Sequence, residues 1–171
     1  MHEYQDGAPA DPDIQQDSPA ATEASAATQK ALGLLARCEQ CRAGLERKLL
    51  QKGFSKTVVA GVLDALEERG FLSDQRFARA WLNSRRIGKS EGRTRLLAEL
   101  AARGIGKDTA KKAVDDFFEE FNEEEICAKA ARKFLSQGKS GDALMAAMQR
   151  SGFGYKMAAN TIKEISNSEQ N

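Results

Sequence analysis

The chain of 171 residues has one histidine, His2, in its opening segment. A Ser-His or Cys-His nucleophilic pair in the folded remainder is thereby excluded. All three prolines, Pro9, Pro12 and Pro19, fall before residue 20, so nothing from Gln29 onward carries the residue that interrupts helices. No apolar run approaches the ~20 residues that span a bilayer, and no basic start with an apolar segment opens the chain. A soluble, cytoplasmic protein that touches no membrane is expected. Three cysteines are too few and too unevenly spaced for a disulfide framework. Cys38 and Cys41 make a Cys-x-x-Cys pair, but structural zinc wants four ligands and a redox pair wants a strand-to-helix context. They are expected to be ordinary cysteines at a helix end, with no metal and no cofactor. Strand-like alternation of β-branched residues is also missing, which leaves helices.

What is present is charge, unevenly spread. Hydrophobic residues are 41% of the chain and charged ones 30%, and the formal net charge of +1 conceals opposite ends. Residues 1–28 hold six acids and no Lys or Arg, with almost nothing large and apolar. Such a segment buries too little to offset its ordering entropy, so residues 1–28 are expected to be a disordered tail, with Ala20 to Thr28 at most a frayed extension of the first helix. From Ser73 to Val114 come eleven Lys or Arg against four acids, and from Asp115 to Glu125 seven acids and no bases. The first run suits a polyanion; the second is expected to be a solvated helix face entering a helix start near Asn122.

An internal repeat organises the rest. With Gly53-Phe54, Gly104-Ile105 and Gly152-Phe153 aligned, Leu45, Leu96 and Leu144 stand eight residues before each glycine, and Leu49, Leu100 and Met148 four before. Leu63, Val114 and Ile162 follow at ten, and Leu66, Phe117 and Ile165 at thirteen. A glycine that closes one helix in a left-handed conformation lets the next residue pack back on the last turn while a new helix begins. A first helix per unit, Lys30 to Cys38, Asp74 to Arg86 and Glu123 to Leu135, supplies a third wall. The pattern therefore predicts an all-α protein of three tandem three-helix repeats over residues 29–72, 73–121 and 122–171. A unit of fewer than ~50 residues buries too little to stand alone, so neighbours must lean on one another in an elongated, curved array.

Candidates for chemistry are few. Gly-Lys-Ser occurs at Gly88-Lys89-Ser90 and Gly138-Lys139-Ser140, but a phosphate loop needs a glycine five positions earlier, where Asn83 and Lys133 stand. Both are expected to be links between helices. The basic set is what remains: Arg79, Arg85, Arg86, Lys89, Arg93, Arg95, Arg103, Lys107, Lys111 and Lys112. Five of these cations lie within residues 85–95 and repel one another unless an anionic partner compensates them. Arg76 is expected to tie down the helix that starts at Asp74, and Phe77 and Trp81, four apart, to enter the core.

The stretch Gly70-Phe71-Leu72-Ser73-Asp74-Gln75-Arg76-Phe77-Ala78 resembles the leucine, two acids, any residue, Arg-Phe-Ala motif of the RecX family, with Ser73 in place of the first acid. Arg85, Arg86, Gly92-Arg93 and Leu96 through Leu100 to Gly104-Ile105 are similar to the same family's pattern. The resemblance runs over about Leu45 to Phe117, is weaker over Leu144 to Ile165 and is absent from the first 28 residues. It implies the three-repeat helical fold and a non-enzymatic regulator of the recombinase RecA. Such a protein binds RecA filaments on single-stranded DNA and blocks filament growth, strand exchange and coupled ATP hydrolysis, and a monomer is expected. The competing class is a sequence-specific helix-turn-helix reader of duplex DNA, and an enzyme comes third for want of a constellation.

Overall fold

The computed structural model describes residues 19–86 and 89–168, with backbone alone at Arg86. Among them are nine α-helices and no strand: α1 (Pro19–Leu35), α2 (Arg42–Gln51), α3 (Lys56–Glu68), α4 (Asp74–Arg86), α5 (Arg93–Ala101), α6 (Lys107–Glu120), α7 (Glu123–Ser136), α8 (Gly141–Arg150) and α9 (Tyr155–Ser168). Every extensive helix pairing lies inside a consecutive trio. Three separate cores result, one per trio, strung along the chain.

Each trio is built on its glycine. Gly53, Gly104 and Gly152 adopt φ of 91°, 88° and 93°, the left-handed conformation that closes α2, α5 and α8. The amides of Phe54, Ile105 and Phe153 then bond back to the carbonyls of Leu49, Leu100 and Met148. Leu45, Leu49, Leu96, Leu100, Leu144 and Met148 are all buried on the incoming helices. Leu63, Leu66, Val114, Phe117 and Ile165 are buried on the outgoing ones, while Ile162 is half-buried beside the buried Thr161. Each such side chain stabilises the fold by about 1.5–3 kcal/mol relative to exposure.

One expectation is corrected. The first helix does not start at Lys30 and run to Cys38; it begins at Pro19 and ends at Leu35, so residues 19–28 are ordered helix. Proline suits a first helical position, and Ala24, Ala27 and Ala31 make a small-residue face, the last two completely buried against the first core. Alanine packs by closeness rather than bulk. Residues 1–18 of the expected tail lie outside the described residues. At the turn after α3, Phe71 is 53% exposed while Leu72 fills the core. Both amides bond to the Leu66 carbonyl in a tight turn, which sends the second side chain inward.

Candidate functional site

The trios meet through their middle helices. Gly92 N–H donates to the Ser151 carbonyl at 2.8 Å and Thr94 N–H to the Gly152 carbonyl at 3.2 Å, so the end of α8 abuts the start of α5. One trio earlier, Cys41 Sγ donates to the Arg103 carbonyl at 3.4 Å, and a Cβ at Gly104 would come within 2.5 Å of Ala43 Cβ. The end of α5 thus abuts the start of α2. The next trio also caps these helix starts. Asp74, the first residue of α4, accepts from Arg42 N–H at 2.7 Å, and Glu123, the first residue of α7, from Arg93 N–H at 3.1 Å. Carboxylates belong at such positions, where helix N–H groups lack partners.

The repeat therefore reaches charged residues. Arg42 and Arg93 stand eleven before their glycines, and Asp64 and Asp115 eleven after. Arg42 pairs with Asp64 at 2.6 Å and with Glu67, and its guanidinium is held above the usual range chiefly by the hydrogen bond to Asp64. Arg93 pairs with Asp115 and, at 3.4 Å, with Glu123, and its guanidinium lies 4.9 Å from the Phe118 ring. Arg93 thus holds three helices together, α5, α6 and α7.

A second group of cations is likewise compensated from within. Glu99 receives Arg103 at 2.8 Å and lies 3.8 Å from both Arg85 and Arg95. Glu91 takes Arg95 at 2.9 Å and lies 3.0 Å from Arg85 Nε. Those last two atoms attract without hydrogen-bond alignment, while Arg85 Nη2 donates to the other Glu91 oxygen at 3.3 Å. The hydrogen bond from Arg103 holds the Glu99 carboxyl below its ordinary range. Arg85 and Arg103 also lie over the Trp81 ring, 4.8 and 4.6 Å from its centroid. Trp81 and Phe77 are half-buried against the middle core. The mutual repulsion expected among residues 85–95 is thus met, at Arg85, Arg93 and Arg95, by carboxylates of this chain.

The other predicted residues fall in several places. Lys111 and Lys112 make exposed i, i+4 pairs with Asp115 and Asp116. Arg76 does not bind Asp74; it reaches Glu39 at 2.8 Å and the Phe71 carbonyl at 3.0 Å, because Asp74 is committed to α2. Ser73 Oγ accepts from the Arg76 N–H and caps α4 in its stead. Arg79, Lys89 and Lys107 have no ion pair among the described residues, and the side chain of Arg86 lies outside them. Arg79 lines a groove of about 270 Å3 between α4 and α6, where Arg76 and Arg79 face Asp116 and Glu120. Lys107 is exposed at the start of α6.

Lys89 has different company. It lines two cavities, of about 100 and 280 Å3, at the junction between the second and third trios. Their walls carry Arg85, Lys89, Arg95, Lys129 and Lys133 against the single carboxylate Glu91. The groove at α4 and α6 balances two cations with two acids, and the cavity between α7 and α9 has Lys156 against Glu124 and Glu164. Lys129 and Lys133 were not singled out from the sequence, because the acids just before them dominate any running charge. Their i, i+4 spacing on α7 was the available signal.

Comparison with known proteins gives one consistent result. Residues 27–71 match the model of the RecX first three-helix domain, and residues 73–114 that of the second. The regulatory protein RecX of Treponema pallidum (strain Nichols) is 40% identical over 123 residues, which cover 72% of this chain and 75% of that protein. That of Thermobifida fusca (strain YX) is 33% identical over 139 residues, 78% of this chain and 75% of its own. The crystal structure of RecX from Lactobacillus salivarius superposes with a TM-score of 0.74 at 18% identity, covering 85% of this chain and 98% of that one.

Proposed function

We propose, from the premise that this chain belongs to the RecX family of regulatory proteins, that it binds RecA and its nucleoprotein filament. It inhibits filament growth, strand exchange and DNA-dependent ATP hydrolysis, and so modulates recombinational repair and the SOS response. It does this in the cytoplasm, as a monomer and without catalysis of its own. The observation that carries the proposal is an extended helical array with one strongly cationic seam, at the junction of its second and third trios. A polyanion-bound protein polymer offers such a surface both charge and length. The candidate residues Arg79, Arg85, Arg86, Lys89, Arg93, Arg95, Arg103, Lys107, Lys111 and Lys112 then divide. Lys89 is free to meet DNA, whereas Arg85, Arg93, Arg95 and Arg103 shape the surface through their ion pairs.

The test is a titration of this protein into RecA turning over ATP on single-stranded DNA. The rate is expected to fall at substoichiometric amounts; an unchanged rate across the titration rejects the proposal. A duplex reader of helix-turn-helix type would need a third helix free to address base edges. Instead, α6 carries Lys111 and Lys112 tied to Asp115 and Asp116, with Glu119 and Glu120 exposed beyond them. Footprinting that revealed a discrete protected duplex site would restore that alternative.

A further inference from the structure

The seam between the second and third trios sets three lysines along two cavities that share Lys89. Lys89 comes from the link before α5, and Lys129 and Lys133 from consecutive turns of α7. None of the three has an ion pair among the described residues. The only carboxylate in the two cavity walls, Glu91, is 10% exposed and already shared by Arg85 and Arg95. A phosphate entering here meets uncompensated positive charge and no free acid. Ser90 and Ser151 add hydroxyl donors within the same walls. Phe134, half-buried, lines the larger cavity between Lys89 and Lys133. An aromatic ring beside cations is a stacking platform for an unpaired base, whereas a duplex keeps its bases stacked on one another.

We propose that this seam is the nucleic-acid site of the protein: a single strand crosses it with its phosphates on Lys89, Lys129 and Lys133 and a base against Phe134. The proposal rests on the regulatory role proposed above, but it moves the contact away from the arginines of α4 and α5. Those arginines make the floor. The lysines make the grip.

The experiment measures binding of a fluorescent oligothymidylate by anisotropy, with no recombinase present, for the full chain and two triple variants. In one, Lys89, Lys129 and Lys133 become Gln; in the other, the exposed Lys52, Lys56 and Lys163 become Gln. The seam variant is expected to bind at least about tenfold more weakly and to lose about 2 from the slope of log affinity against log salt, since each phosphate contact on a single strand contributes about 0.7. The distant variant is expected to change affinity less than about threefold. Equal losses in both variants, or no loss at the seam, would overturn the assignment. Substituting Phe134→Leu keeps an apolar side chain in the core and is expected to weaken binding several-fold; tighter binding of a same-length duplex would overturn the single-strand assignment. Running the recombinase ATPase assay on the same proteins separates the two proposals. Wild-type inhibition without seam-dependent binding rejects the site alone; seam-dependent binding without inhibition rejects the regulatory role alone.

Discussion

Glu99 holds three guanidinium groups with one carboxylate. Its pKa lies below the ordinary 4.5, chiefly through the hydrogen bond from Arg103, with the charges of Arg103, Arg85 and Arg95 adding to it. A depressed folded-state value means that the group stabilises the fold above that ordinary value, and that the contribution disappears as pH falls through the folded one. The side chain is 29% exposed, so solvent screening limits the contribution to less than about 1 kcal/mol. Glu99→Gln is therefore expected to be slightly less stable than wild type at about pH 7, with the gap narrowing as pH falls below 4.5, as read from urea denaturation across that range. A gap that persists in acid would assign the loss to packing. At this scale the sequence pattern was only partly legible. The buried positions at −8, −4, +10 and +13 follow from hydrophobic spacing, because water enforces that spacing everywhere. Charged residues obey no such rule, and Arg93 becomes intelligible only beside Arg42, once both are placed in register with their glycines.

Helices meet at glycines that admit nothing larger. A Cβ on Gly92 would lie 2.5 Å from the Gly152 carbonyl oxygen, and one on Gly152, at φ 93°, would lie 2.4 Å from Arg95 N. Gly61, on the exposed side of α3, has nothing within 4 Å of its added Cβ. Opposite outcomes are expected from one chemical change. Gly92→Ala should destabilise the chain by about 1–3 kcal/mol through overpacking, whereas Gly61→Ala should stabilise it by about 0.5–1 kcal/mol through lower chain entropy. Denaturant midpoints decide the matter, and equal shifts of one sign in both variants would refute the close contact. Both ends of α4 and the start of α7 lay within the reach of sequence periodicity and capping, as at Asp74 and Glu123. The start of α1 did not, because a face of alanines looks like low-complexity tail until α3 is set against it.

On the scale of the molecule, three cores stand in series with no shared centre. Met148 is fully buried in the third, and Met148→Ala is expected to cost about 2–5 kcal/mol. Because the third core is built from α7, α8 and α9 and meets the middle one only through Ile126, the lost amide-exchange protection should concentrate in those helices and leave α1 and α3 nearly unchanged. Uniform loss along the chain would mean that the array unfolds as one body. The number and order of the trios were legible from the glycine spacing, while the cationic seam was not. It is assembled from a link and a helix separated by forty residues, and local charge sums keep such residues apart.

The seams are also fulcrums. The contact between α8 and α5 centres on two backbone hydrogen bonds and the close approach of Gly92 and Gly152, and a whole trio extends beyond it. A wedge the size of one methyl group at Gly92 would be carried along that arm and displace α9 by more than it displaces α8. Selection for a fixed reach would then act hardest on two glycines that face each other.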